Sequence, residues 1–172
     1  MIMNVEKTNL EGVLLIKPSK FEDHRGTFVE TYSEAVYNKK GISLKFVRDD
    51  ISTSDKYVLR GIHYDHKTWK LIQCMYGKFY FDVIDMREDS PDYLKWQSFI
   101  LTSENRHQVL VPPMFGNGHL VLSDHVIFHY KMTEYYDPKS EKCVRWNDPK
   151  ANLWWPINNP MLSIKDSTAP DL

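Results

Sequence analysis

Short apolar runs separated by turn residues dominate the chain. Residues 12–18 read GVLLIKP, an apolar stretch stopped by proline. Residues 27–32 read TFVETY, with Phe28 and Glu30 on one side and Val29 and Thr31 on the other. Residues 44–47 form another short run, and residues 69–76 and 78–85 flank Gly77. In the second of these, Phe79, Phe81 and Val83 share one face while Tyr80, Asp82 and Ile84 share the other. Period-two alternation of this kind predicts a strand with two different environments. Residues 96–101, 108–111, 120–122 and 126–132 continue the series, with a polar turn at 123–125. Helical pattern is confined to about two turns at 33–39, with Ser33 as cap, and a shorter piece at 103–106. Many short strands with turn-rich breaks predict an all-β sandwich or barrel. Pro149, Pro156, Pro160 and Pro170 punctuate a less regular C-terminal segment, where Trp154 and Trp155 require packing partners.

Composition narrows the classes. The 172 residues are 42 % hydrophobic and 13 % aromatic, which is globular rather than disordered. The length suits one domain spanning residues 1–172, with no repeat or linker. Lys and Arg number 22 against 23 Asp and Glu, a net charge of −1, which argues against a nucleic-acid binder. No apolar stretch approaches a membrane span, and the N-terminus lacks the apolar run of a secretory signal. Cys74 and Cys143 alone make neither a disulfide framework nor a metal site, so a reducing cytoplasm is expected.

Several residues are candidates for chemistry. The run Leu59-Arg60-Gly61-Ile62-His63-Tyr64 sets a guanidinium, suited to clamping phosphate, close to an imidazole that titrates near neutrality. The residues alone leave His63 as either a catalytic base or a structural histidine. His63 and Asp65 on one face of a strand, with His66 nearby and His119 as a third ligand, invite a metal reading. The rest of such a ligand set is missing, so no metal is expected. Tyr130 in VIFHYKM shares a face with Val126, Phe128 and Met132. It is either a core residue with a bonded hydroxyl or a proton donor at a pocket wall. Most of the aromatic residues read as core filling, and acidic residues among them count against RNA stacking.

A longer set of motifs follows one order along the chain. It includes Phe21-x-Asp23-x-Arg25-Gly26-x-Phe28-x-Glu30, the Leu59–Tyr64 run, Lys70-Leu71, Asp82-Val83 and Asp85-Met86-Arg87. It continues through Ser90-Pro91-x-Tyr93, Pro112-x-x-Phe115, Val121-Leu122-Ser123, Tyr130-Lys131-x-Thr133 and Tyr135-Tyr136. It ends with Trp146-Asn147-Asp148-Pro149, Trp155-Pro156 and Leu162-Ser163-x-Lys165-Asp166. In this order and spacing, the chain resembles the dTDP-4-dehydrorhamnose 3,5-epimerase family of cupin-type jelly rolls. The resemblance implies a jelly roll with short flanking helices and an irregular C-terminal segment. It implies a homodimer acting without cofactor on a nucleotide-linked 4-keto sugar, through an enolate. His63 resembles the family's general base, Asp166 its orienting carboxylate, Tyr130 its acid and Lys70 the cation at the enolate oxygen. Arg60 and Arg25 resemble diphosphate contacts. Phe21 and Glu30 fall in a segment that reaches the nucleotide, partly across a dimer interface.

Departures from the family pattern bear on the substrate. Asn117 stands where the usual Phe-Ala-His-Gly motif has its histidine, and His119 follows two residues on, pointing the same way in a strand. Arg48 and Asp50 replace a usual glutamine and asparagine, and the loop after His63 is shorter. These changes favour a GDP-linked 4-keto heptose over the dTDP-linked hexose, with inversion at both C3 and C5. The alternatives are the dTDP-hexose epimerase, a C3-only or C5-only epimerase and, more distantly, a sugar ketoisomerase or a non-catalytic sugar-nucleotide binder.

Overall fold

The structure is a computed structural model and describes residues 3–172. One sheet has six strands in the order β1 (Asn4–Lys7), β2 (Leu14–Lys17), β10 (Gln108–Val111), β7 (Lys70–Tyr76), β12 (His125–Met132) and β5 (Arg48–Asp55). The other has five, β13 (Lys142–Cys143), β6 (Leu59–Tyr64), β11 (Phe115–Val121), β8 (Lys78–Asp85) and β9 (Trp96–Thr102). Neighbours pair antiparallel throughout both sheets. Strands close in sequence are split between the sheets, so the chain crosses repeatedly from one to the other, as the jelly-roll expectation requires. A separate hairpin joins β3 (Lys20–Asp23) and β4 (Gly26–Val29).

Both sheets are covered on both faces. Between them, Ile72, Val109, Val126 and Phe128 of the six-stranded sheet meet Phe79, Phe81, Val83, Leu101 and Phe115 of the five-stranded one. Outside the five-stranded sheet, Leu59, Ile62, Tyr80, Ile84 and Leu120 are roofed by Val144, Ala151 and Trp155. This is where the tryptophan-rich C-terminal segment finds its packing. Outside the six-stranded sheet, Ile16, Leu71 and Leu110 lie under Tyr37 of helix α1 (Glu34–Lys39) and under Ile42. Double coverage explains why β8 is buried almost end to end, while its two side-chain sets still serve different cores.

Three of the elements read from the pattern change, and β1, β3, β5, β13 and a short helix at Ile164–Ser167 form where no pattern announced them. Residues 44–47 are not a strand; Leu44 and Phe46 instead pack beneath α1. The chain leaves β4 at Val29, earlier than the alternation suggests. Residues 103–106 form a turn, because the Asn105 side chain takes the Thr102 and His107 amides and Arg106 adopts φ 55°. Of the unannounced elements, β5 is the longest. Its sequence, RDDISTSD, carries no apolar alternation, since only Ser54 along it is buried. Ser33 does precede α1, but its side chain makes no capping bond.

Candidate active site

A cavity of about 330 Å3 opens against the inner faces of both sheets. Arg60 and His63 of β6 and Asn117 and His119 of β11 form its five-stranded wall. Ser52 of β5, Lys70 and Ile72 of β7, and Phe128 and Tyr130 of β12 form the six-stranded wall. Tyr136, Glu141, Ser163, Lys165 and Asp166 enclose it from connecting segments and from the one-turn helix α2 (Ile164–Ser167).

The five-stranded wall depends on a close backbone approach. Gly61 has φ +133°, and a Cβ there would lie 2.5 Å from Gly118 Cα and 2.8 Å from Asn117 O. Only glycine allows β6 and β11 to meet this closely. The register slips between Asn117 and His119 at this point. Both side chains nevertheless reach the cavity, as two-residue spacing in a strand predicts. Asn117 Nδ2 donates to the carbonyl of His63 at 3.1 Å. His119 is buried and stacks on Phe128, with ring centroids 4.1 Å apart and 12° between planes. Burial, with Arg60 and His63 nearby, pushes its pKa down to about 3, so the ring is neutral. Its Nε2 makes no hydrogen bond among the described residues.

His63 and Asp166 form a pair, with Nε2 and Oδ1 2.6 Å apart. Burial works to raise the Asp166 pKa, but the hydrogen bond and charge of His63 and the Ser163 hydroxyl overcome it and hold the carboxyl below its ordinary range. Asp166 is therefore an acceptor and His63 Nε2 carries the hydrogen, which leaves Nδ1 with the free lone pair. Cys143 Sγ lies 3.8 Å from the same carboxylate oxygen. One ligand atom each from His63, Cys143 and Asp166 lie within 4.8 Å of one another, so this trio could hold a metal ion. Two of its members are already hydrogen-bonded to each other. The Cys143 thiol, pushed up to about 11 chiefly by burial, keeps its proton at neutral pH.

On the facing wall, Tyr130 is raised above the usual phenol range by burial and by Asp50, against Arg48, and so keeps its proton. Lys70 is buried, which lowers its pKa; Asp65 and then Glu141 pull against that shift. Glu141 forms an ion pair with Lys165. Burial would raise the Glu141 carboxyl, but this pair, with His63 and Lys70, brings it below its ordinary range. Arg60 is tethered to β5 through Nε to Ser54 Oγ at 3.0 Å. Arg48 pairs with Asp50 at 3.0 Å and borders an adjoining cavity of about 150 Å3 that shares Lys70, Tyr130, Tyr136 and Glu141 with the first.

The structure thus brings together His63, Asp166, Tyr130, Lys70, Arg60, Asn117 and His119, with Arg48 next door. It does not bring Phe21, Arg25 or Glu30 to the cavity of their own chain. Phe21 is exposed on the β3–β4 hairpin, where Arg25 is engaged with Asp23 at 2.7 Å, and Glu30 lies just beyond it in solvent. Among the described residues, His63, Asp65 and His119 do not form a close group of ligand atoms. β6 ends at Tyr64, and Asp65 just beyond it accepts from the amides of Lys67 and Thr68. Glu141, Lys165 and Tyr136 are cavity residues that pattern reasoning passed over. Lys165 and Tyr136 sit inside recognised motifs, whereas Glu141 carries no local signal.

The sequence model described as dTDP-4-dehydrorhamnose 3,5-epimerase matches residues 7–172. The chain belongs to the dTDP-4-dehydrorhamnose 3,5-epimerase family. A Shigella flexneri protein of that name is 39 % identical over 168 residues, 95 % of this chain and 93 % of that protein. The crystal structure of the Bacillus anthracis dTDP-4-dehydrorhamnose 3,5-epimerase, with TDP and pyrophosphate bound, superposes with a TM-score of 0.96 at 38 % identity, covering 99 % of this chain and 100 % of that one. A Legionella pneumophila epimerase in complex with dTDP-4-keto-L-rhamnose gives 0.94 at 36 % identity, covering 99 % and 93 %. Membership of the 3,5-epimerase family makes this chain an epimerase of nucleotide sugars with a cupin-type jelly-roll fold.

Proposed function

We propose that this enzyme inverts both carbons flanking the ketone of a nucleotide-linked 4-keto sugar, and that its preferred substrate is a GDP-linked 4-keto heptose. One observation carries the reaction: His63 and Tyr130 stand on strands of opposite sheets and line one cavity. An enolate is flat, so inversion requires a base on one side and an acid on the other. His63 Nδ1 takes the proton next to the ketone, while Asp166 holds the ring through Nε2 and balances the imidazolium that forms. The Lys70 ammonium stabilises the enolate oxygen, the largest contribution asked of the site. Tyr130 returns a proton from the other wall. After the sugar ring shifts, the same pair serves the second carbon. The ketone itself acidifies both positions, so the cycle uses no cofactor.

Arg60 contacts the diphosphate. Phe21, Arg25 and Glu30 act from a second copy of the chain, because none of them lines the cavity of its own copy. The larger sugar is supported by Asn117. Its amide is committed to the His63 carbonyl and places no ring in the cavity, while the buried His119 offers an unpaired Nε2 to a sugar oxygen. The guanine base rests on resemblance to the heptose-modifying branch of the family. The names of the relatives favour dTDP-4-keto-6-deoxyglucose as the second reading.

The deciding experiment offers GDP- and dTDP-linked 4-keto sugars, hexose and heptose, in deuterated water, and follows deuterium uptake by NMR. Fastest exchange at C3 and C5 of the GDP-heptose is expected. Exchange at least tenfold faster with the dTDP-hexose overturns the substrate assignment. Uptake at a single carbon overturns the double inversion.

A further inference from the structure

Asp65 is a buried carboxylate whose two oxygens do different things. Oδ1 accepts the amides of Lys67 at 3.0 Å and Thr68 at 2.7 Å, closing the turn after β6. Oδ2 lies 3.9 Å from Lys70 Nζ, and the two side chains are only 9 % and 13 % exposed. The loop between them is pinned at both ends. The Met114 amide donates to the Asp65 carbonyl at 2.7 Å, and the Trp69 amide donates to Thr133 Oγ1 at 3.0 Å. The Asp65 carboxylate is thus held in place by the backbone of the turn, next to the Lys70 side chain.

We propose that Asp65 is a positioning residue that keeps Lys70 charged inside the cavity while leaving its hydrogens free for the substrate oxygen. The inference rests on the enolate reading above. Burial favours loss of the ammonium proton, and a neutral amine would not steady an oxyanion. A carboxylate in hydrogen-bonding contact would restore the charge but tie up the donors and cancel the field they offer. At 3.9 Å, Oδ2 is beyond hydrogen-bond reach yet close enough for a strong attraction where water is excluded.

Among the other charged groups around Lys70, only Glu141 also favours its charge, and less than Asp65 does. Glu141, ahead of β13, is already paired with Lys165 of α2. Arg48 of β5 and Lys165 both work against the Lys70 charge. Asp50 of β5 is paired with Arg48, and Asp166 of α2 with His63 of β6. Tyr130 of β12 is protonated.

Asp65→Asn provides a clean test, because the amide oxygen retains the acceptor for both backbone N–H groups while the charge is lost. The free enzyme, labelled with 13C at lysine Cε, is titrated by NMR, with the Lys70 signal assigned by its disappearance in Lys70→Met. Asp65→Asn should lower the Lys70 midpoint by at least one pH unit. With the substrate found in the exchange panel, kcat should fall about tenfold at pH 8, KM should change less than threefold, and the alkaline limb of kcat should move by the same amount as the Lys70 midpoint. An unchanged midpoint in a variant with the parental melting temperature overturns the inference. So does a shifted midpoint with parental kcat across the pH range. A shifted midpoint in an enzyme that exchanges no 4-keto sugar upholds the hold on Lys70 and instead sinks the enolate reading.

Discussion

Ser163 grips Asp166 twice through a single hydroxyl. Its Oγ donates to Asp166 Oδ2 at 2.9 Å and accepts from the Asp166 backbone N–H at 3.0 Å. The same atom caps α2 and fixes the carboxylate that orients His63. Ser163→Ala should therefore cost about 1 kcal/mol of stability, roughly 2–4 °C in Tm. It should also lower kcat about tenfold with little change in KM, measured by thermal melts and steady-state kinetics. A parental kcat would show that Asp166 needs no help from Ser163.

The base and the acid are separable. His63→Asn should abolish deuterium uptake at both carbons. Tyr130→Phe should leave uptake substantially intact while slowing inversion by about 100-fold, because His63 can return the proton to the side it came from. Inversion at the parental rate in Tyr130→Phe removes the phenol from the acid role.

Asp82 predicts a pH dependence unrelated to catalysis. It is fully buried on β8, and neither carboxylate oxygen finds a partner among the described residues. The nearby Tyr80 gives its hydroxyl hydrogen to the Trp154 carbonyl. Burial pushes the Asp82 pKa up to about 8, so the folded protein holds a proton that the unfolded chain releases near pH 4. Stability from this group is complete below pH 4, falls as pH rises towards 8 and then levels off. Asp82→Asn should match the parent near pH 4 and exceed it increasingly up to pH 8, by a few kcal/mol, in denaturant melts at each pH. A constant difference across that range would contradict the buried-acid account.

The sandwich was legible because its core strands carry period-two patterns that match their two environments. Phe79, Phe81 and Val83 face one core, and Tyr80 and Ile84 the other. β5 was illegible for the opposite reason. It is an edge strand held by backbone pairing to β12, with Ser52 turned to the cavity, so nothing apolar marks it. At the site, His63, Lys70, Tyr130 and Asp166 were readable only through the order of motifs, since 103 residues separate His63 from Asp166. Glu141 was missed because its role comes from Lys165, His63 and Lys70 converging in space. Phe21, Arg25 and Glu30 were named from resemblance, and none of them lines the active-site cavity of its own chain.

The hairpin bearing those residues motivates an assembly test. Phe21 and Phe28 are direct cross-strand partners and are both more than half exposed. Light scattering at micromolar concentration should give twice the mass of one chain. Phe21→Ser combined with Phe28→Ser should raise KM more than tenfold. A monomer with full activity rules out donation of the hairpin between copies.

Turnover without a metal is expected, because His63 and Asp166 are engaged with each other as base and orienting carboxylate. Extensive chelation should leave the rate of deuterium uptake unchanged. Loss of turnover with a stoichiometric metal, restored on its return, would assign the His63–Cys143–Asp166 trio a different chemistry.

The glycine contact between β6 and β11 makes the two walls unequal in their freedom to evolve. Any side chain at Gly61 would strike Gly118 and Asn117, and one at Gly118 would meet Ile62 and the Arg60 carbonyl. The backbone of the wall that bears the imidazole is therefore locked at Gly61 and Gly118, and only side chains that face the cavity, such as Asn117, can change there. The opposite rim, built from the polar edge strand β5 and the connecting residues 134–141, has no such interlock and can exchange side chains one at a time. Descent towards new sugars, in nature or in a laboratory library, should accumulate most readily on that rim, while the glycine pair keeps His63 where the reaction needs it.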